Sequence, residues 1–450
     1  MVADRRVQHP DPADGVSTGR PARPRNGGVA VGYELSRPEP TPQRRRWVPE
    51  HLRWPIGFAL AALAVFFLHY YASKLGADGF LQTWLPRASL NEALVWVICA
   101  LGLNIVVGYA GLLDLGFVAF WAIGGYTAAW LMSTFFYQTQ VHLLGSVPTN
   151  QPGIHFSFWM VLVAGAALCF VFGVIIGAPT LRLRSDYLAL VTLGFGEIIP
   201  QVFRNGDNVF GFNLSNGDKS ITPVDPIYSV AIEANGLSIR NLGPFDLLSK
   251  YLIFVALAAL IIFISLRLRE GKLGRAWLAI REDEVAASAM GVPLMRTKLA
   301  AYGIGAVAGG IGGVAYATHV NGAFAGTFRF SISITLLAMV VLGGMGNVWG
   351  VTLGALILAW VNSTGLPQFG NAFNEQFGTE INFTSYNFLI FGGALVLMML
   401  FKREGFLPES RTRLVLREHE KTAVGQEAIE VDELDEQVER AAAGEGDDRR

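Results

Sequence analysis

The chain has 450 residues, 52% of them hydrophobic and only 16% charged, whereas a soluble domain carries about 25% charged residues. This composition excludes a water-soluble globule and describes a polytopic membrane protein. The formal net charge of −1 hides a segregation, with arginines crowding the N-terminal region and acidic residues the C-terminal end, and nothing in it indicates nucleic acid.

Residues 1–53 hold prolines, glycines and ten arginines but no apolar run long enough for the core of a signal peptide. They read as an uncleaved, disordered cytoplasmic arm. Apolar segments follow at 54–73, 89–108, 112–133, 157–178, 186–203, 249–268, 298–318, 331–345, 347–363 and 384–401. Most approach the ~20 residues that cross a bilayer as a helix. The eighth and ninth are short and meet at Leu342-Gly343-Gly344-Met345-Gly346-Asn347, so they are either two spans or one broken helix.

Charge favours two spans, and therefore ten in all. With the N-terminus inside, the inside segments carry Arg44, Arg45, Arg46, Arg53, Arg182, Arg184, seven bases from Arg267 to Lys298, then Lys402 and Arg403. The outside loops 134–156 and 364–383 contain no Lys or Arg. Merging the eighth and ninth segments would put Lys402 and Arg403 outside, against the positive-inside bias. Both termini then face the cytoplasm. The loop 204–248 caps the outer mouth with turns rather than a separate domain, and the tail 402–450 is a charged cytoplasmic appendage.

Between the sixth and seventh spans lies a sizeable polar segment with helical character, 269–298. From Leu273 a 3.6-residue period aligns Ala276, Trp277, Ile280 and Ala287 on one side, with Arg275 and Glu282 opposite. A single amphipathic helix is expected from Arg275 to Met290, stopped by Gly291 with Pro293 beyond it. Set at the membrane surface, it is either a plain interfacial helix or one gripped by a soluble partner.

No GxxxxGK[ST] phosphate loop, HExxH, GxSxG or cysteine–histidine cluster occurs, so neither catalysis nor a metal site is predicted for the chain itself. Cys99 and Cys169 sit inside apolar runs and read as packing residues; His69 and His319, at span ends, read as interfacial. A charge at membrane depth costs about 2.5–3.5 kcal/mol at a helix centre, so each one demands a reason. Asp114 and Asp186 open the third and fifth spans, where a carboxylate caps free N–H groups. Glu197, well inside the fifth span, is expected near a helix break at the bundle interior or outer mouth, either on a path or in a buried pair. Glycines crowd the seventh span, where they allow close helix packing. The interruptions Gly108–Gly111 and Gly343–Gly346 instead mark broken helices along a path. Gly111, Gly116, Gly344 and Gly346 thereby join Asp114 and Glu197 as candidate path residues. The two interruptions do not occupy corresponding places in two halves, and no internal repeat is predicted from them.

Several strings together resemble the permease subunits of the branched-chain amino acid ABC importers, specifically the LivM-type subunit, over about residues 88–401. They are LGLNIVVGYAGLLDLGFVAF from Leu101, IGGYTA from Ile123, LRLRSDYLALVTLGFGEI from Leu181, GRAWLAIREDEVAASAMGV from Gly274 and VVLGGMGNVWGVTLGAL from Val340. The first has Leu112, Asp114 and Phe117 where the sister subunit frequently has Gln-x-Ser-Leu-Gly-His, which directs the resemblance to the LivM type. The polar segment resembles the cytoplasmic coupling region of importer permeases, whose signature is Glu-Ala-Ala, three residues, Gly. Ala286, Ala287 and Gly291 keep that spacing, with Val285 in the acidic position and Glu284 one residue early. The resemblance marks Trp277, Glu282, Asp283, Glu284, Ala286, Ala287 and Gly291 as ATPase-coupling residues.

The resemblance implies an all-α polytopic protein of the bacterial inner membrane. Its permease domain, 54–401, has about ten transmembrane helices and a cytoplasmic amphipathic coupling helix within 269–298. Implied partners are a sister permease subunit, two cytoplasmic ATPase subunits that bind the ATP, an extracytoplasmic substrate-binding protein and membrane lipid. The chain is expected to hold no cofactor. Leucine, isoleucine and valine are the implied cargo, with urea and short amides as the alternative. A rival reading, an ion-driven secondary transporter using Glu197 as its coupling carboxylate, predicts uptake by the single chain without ATP.

Overall fold

A computed structural model describes residues 50–407 except 76–78, 145–146, 148–149, 184, 234–235, 243–246 and 403–404. The expected disordered arm, apart from its last four residues, and the charged tail beyond 407 lie outside the described residues. Helix α1 (Glu50–Leu75) and the short α2 (Gly79–Trp84) precede α3 (Arg87–Leu103), which continues as a π-helical turn over Asn104–Tyr109. An irregular stretch leads into α4 (Val118–Leu131). Strands β1 (Met132–Ser133), β2 (Gln140–Leu143) and β3 (Gly153–Phe156) form a small sheet before α5 (Phe158–Thr180) and α6 (Ser185–Arg204). The hairpin of β4 (Ile227–Glu233) and β5 (Gly236–Leu242) precedes α7 (Leu247–Glu270). Then come α8 (Lys272–Glu282), α9 (Glu284–Ala289) and α10 (Leu294–Val320). The chain closes with α11 (Phe330–Gly343), α12 (Val348–Trp360), a second π-helical turn over Val361–Gly365, α13 (Leu366–Phe377) and α14 (Asn387–Phe401).

The fold is thus all-α apart from these small strands, and a helix stands at each of the ten apolar segments. Among the described residues, seven helical stretches are long and apolar enough to cross a membrane. The expectation of ten full spans meets its limit at α4 and α11. Each has 14 residues, about 21 Å at about 1.5 Å per residue, short of a hydrocarbon core of about 30 Å. Both are apolar and mostly buried by the chain, so they serve as half-length helices inside the bundle. The segment expected at 112–133 begins with six residues that are not helical, 112–117.

Glycines at the centre of the bundle explain its packing. Helix α10 lies against α3, α4 and α5. A β-carbon at Gly305 would strike Val106 beyond the end of α3, one at Gly309 would sit 2.9 Å from the Phe120 β-carbon of α4, and one at Gly310 would sit 2.7 Å from the Gly165 carbonyl oxygen of α5. Close approach of backbones without a hydrophobic driving force is how membrane helices associate. Helix α3 packs in turn on α7, α10, α11 and α12. Helices α11 and α12 form an antiparallel hairpin, with Gly343 against Gly350 and Met339 against Gly354. That excludes a single broken helix there.

The Val320 end of α10 meets the connections on the side away from α8 and α9. Ile221 and Ala323 exchange backbone hydrogen bonds, and the buried His155 Nδ1 donates to Asp225 Oδ2 at 2.7 Å. Burial pushes the Asp225 carboxyl above its usual range, and the bond from His155 opposes that shift.

Candidate functional site

Of the residues marked by the sequence, Gly111, Asp114, Gly116, Gly346 and Trp277 lie on or against the backbone between Asn104 and Val118. Asn104 is fully buried, and its Oδ1 accepts the Gly346 N–H at 2.9 Å. A β-carbon at Gly108 would lie 2.7 Å from that same nitrogen. The two glycine interruptions, far apart in sequence, are therefore one structural feature. Gly111 (φ +69) and Gly346 (φ +87) adopt left-handed backbone that a β-carbon disfavours.

Asp114 differs from its expected role. Helix α4 starts at Val118, so Asp114 caps the preceding turn, its Oδ1 accepting the Gly116 N–H at 2.8 Å. Next, the Leu115 N–H donates to Thr192 Oγ1 of α6 at 3.1 Å, and Gly116 packs against the α6 backbone at Thr192 and Gly196. The first turns of the two half-length helices meet where the Val118 N–H donates to Ser333 Oγ of α11 at 3.0 Å. Non-helical backbone at membrane depth needs such internal partners. The capping expectation at Asp186 lies outside the described residues.

Glu197 follows Gly196 by one residue. Its side chain is exposed, which corrects the buried-pair alternative, and α6 runs on to Arg204 rather than breaking near Pro200. Tyr187, Leu190, Glu197, Ile198 and Gln201 form an exposed face of α6. Glu197 borders a cavity of about 350 Å³.

The expected single amphipathic helix is two. Asp283, with φ −154° and ψ 113°, breaks it, and its Oδ1 accepts the N–H groups of Val285 at 2.8 Å and Ala286 at 3.0 Å. Together α8 and α9 form an elbow. Gly291 (φ +84) ends α9 in a Schellman motif, with Val292 N–H bonding to the Ala287 carbonyl and Gly291 N–H to that of Ser288. The period read correctly which side is apolar, but the chain itself covers that side. Trp277 is fully buried; its indole N–H donates to the Thr297 carbonyl at 2.8 Å, and its ring stacks on Tyr109 at 6.4 Å. Ala287 is buried as well. Neither can meet a partner. Glu282, Asp283, Glu284, Ala286 and Gly291 are exposed, beside Val285 at 78% and Met290 at 85%. Lys298 Nζ donates to Glu284 Oε1 and ties α9 to α10.

Sequence reasoning missed Arg281. Its guanidinium donates to the Gly108 carbonyl, and a β-carbon at Gly111 would come 2.8 Å from its Cγ. Arg281 thus joins the elbow directly to the interruption. A basic residue in a polar helix gives no sign of a partner some 170 positions away. Gly344 packs on Gly405 and lies next to this junction, not in it. Among the described residues no group of three His, Cys, Asp or Glu side chains converges as a metal ion would require.

Comparison with known proteins places the chain in a family. The family described as "Branched-chain amino acid transport system / permease component" matches residues 85–400. The chain is 35% identical over 335 residues to the high-affinity branched-chain amino acid transport system permease protein LivM of Escherichia coli, covering 72% of this chain and 70% of that one. It is 34% identical over 347 residues to the Salmonella typhimurium protein of the same description, covering 74% and 73%. The probable branched-chain amino acid transport permease protein LivM of Methanocaldococcus jannaschii is 27% identical over 342 residues, covering 71% of this chain and 93% of its own length. No solved structure matches the chain.

Proposed function

The chain belongs to the branched-chain amino acid transport permease family, and from that premise we propose that it is the LivM-type membrane subunit of an ABC importer. It carries leucine, isoleucine and valine, delivered by an extracytoplasmic binding protein, across the bacterial inner membrane. A sister permease completes the path, two ATPase subunits supply the drive, and both termini face the cytoplasm.

The supporting observation is the connection from elbow to path. The outward face of α8 and α9 offers Val285, Ala286 and Met290 among the carboxylates Glu282, Asp283 and Glu284, a surface suited to a groove on a soluble partner. The inward face is locked by Trp277 and Arg281. A rigid shift imposed by ATP binding then moves Arg281, and with it the backbone from Gly108 to Gly116 that packs on α6 beside Glu197. Interlocked backbone of this kind transmits displacement because packed interiors deform little.

Co-expression with the partner subunits and reconstitution into liposomes tests the reading. ATP-dependent leucine uptake is expected, with none by this chain alone. Uptake by the single chain under an ion gradient would overturn it in favour of a secondary transporter. Mass spectrometry of the ligand retained by the binding protein decides cargo, and urea or a short amide there would replace the branched-chain assignment.

A further inference from the structure

The cavity beside Glu197 lies between the C-terminal half of α6 and the first turn of α11, at the Val320 end of α10. Its volume of about 350 Å³ falls at the small end of the ~300–1,000 Å³ usual for ligand pockets. Glu197, Gln201 and Arg204 reach it from one face of α6, at the i, i+4 and i+7 spacing that stacks side chains along a helix. Arg329 and Ser331 face them from the other wall, and the half-buried Phe330 supplies apolar surface.

The charges are of both signs. The Glu197 carboxylate stands on the α6 wall and the Arg329 guanidinium on the other. Arg204 Nε lies 3.6 Å from Asp218 Oδ1 in an exposed pair. Arg329 donates its Nε–H to the Gly326 carbonyl at 2.9 Å, one of five guanidinium donors, so the forked end retains its capacity for a carboxylate. A ligand that satisfies both walls carries an ammonium and a carboxylate close together, with an apolar side chain for Phe330. That describes an α-amino acid zwitterion with a medium-sized aliphatic side chain.

We propose that this cavity is a transient substrate subsite at the mouth of the path, in which Glu197 takes the ammonium group and Arg329 the carboxylate of the amino acid. The subsite rests on the permease reading above. It makes this chain, and not the binding protein alone, a discriminator of zwitterions.

The test uses cysteine reporters in the assembled permeases and ATPases, reconstituted without the binding protein. Cys99 and Cys169 are buried, so a small maleimide reports on an introduced Ser331→Cys or, separately, Gln201→Cys. Leucine at about ten times its dissociation constant should slow labelling about tenfold, because the unoccupied fraction falls in that ratio. Leucinamide, which lacks the carboxylate, and 4-methylpentanoate, which lacks the ammonium, should leave the rate nearly unchanged. Glu197→Gln added to either reporter should abolish protection by leucine. Three results would overturn the subsite. ATP-driven leucine uptake by the wild-type assembly with its binding protein added, but no protection of either reporter, would remove it while leaving the permease reading intact. Equal protection by leucine and leucinamide would reduce it to a cation site. Absence of ATP-driven leucine uptake by the wild-type assembly once its binding protein is added would remove the permease reading and the subsite with it.

Discussion

The two faces of the α8–α9 elbow share one short stretch of sequence and differ in what they touch. Inward, Trp277, Ile280 and Ala287 are buried by the chain's own helices, and Arg281 reaches the Gly108 carbonyl. Outward, Val285 and Met290 are apolar and largely exposed among carboxylates. One face is part of the permease core and the other has no cover within the described residues. Coupling needs both properties. A surface that docks but is loosely attached would move without moving the bundle, and one that is firmly attached but fully covered would receive no force.

Substitutions at the inward face should therefore act on folding, and those at the outward face on partnership. Trp277→Ala is expected to have the largest effect. It removes a buried ring, its stack on Tyr109 and its bond to the Thr297 carbonyl, and buried Trp→Ala changes cost about 3–5 kcal/mol. Unfolding in detergent by a graded denaturant should show the loss without any ATPase present. Unchanged unfolding, with only the ATPase lost, would place Trp277 on the docking face and erase the distinction. Ala287→Trp comes next, at about 1–3 kcal/mol from overpacking. It should lower the midpoint of the isolated permease, whereas a docking-only role for Ala287 would leave that midpoint alone.

The sequence showed these helices but not their cover. Apolar runs set most helix positions because a bilayer admits few other solutions. The end of α9 was legible at Gly291, since a left-handed C-terminal residue is nearly a glycine signature. Asp283 was not, because the apolar period continues through it to Ala287 and an aspartate inside a helix costs only a fraction of a kcal/mol. Periodicity says which side of a helix is apolar and nothing of which chain covers it, so it cannot tell a partner's groove from the chain's own helices as the cover for Trp277 and Ala287. The half-length of α4 was hidden likewise, since residues 112–117 are apolar enough to pass as helix while Gly111 and Gly116 let the backbone turn. Arg281, Asn104 and Ser333 act on backbone groups remote in sequence, which no local pattern encodes. Glu197 was legible as an oddity of charge, but its exposed position on α6 needed the packing of Gly116 on Gly196.

Asp283→Ala should fall between the two faces in size. It removes the side chain that accepts from Val285 and Ala286, and loss of such a cap costs about 1 kcal/mol. The elbow angle depends on that cap, so uptake should fall more than stability does, and Asp283→Asn, which keeps an acceptor oxygen, should restore most of it. Equal loss in the alanine and asparagine variants would point to the charge of Asp283 rather than its capping.

The smallest change in stability is expected on the outward face, and it separates the faces most cleanly. Val285 is 78% exposed, so Val285→Asp should cost no more than about 0.5 kcal/mol of stability. Its effect on partnership should be large. A carboxylate placed at the centre of a docked apolar contact is desolvated without a partner, at about 1–3 kcal/mol for a polar group and more for a charge. The three neighbouring carboxylates Glu282, Asp283 and Glu284 add like charge. The ATPase should dissociate from the Val285→Asp permease during purification, and added salt should recover part of the association because exposed charges are screened. Retention of the ATPase with full uptake would show that the force enters elsewhere. The exposed face of α9 would then be an ordinary interfacial surface, although Trp277 and Arg281 would still hold the elbow to the bundle.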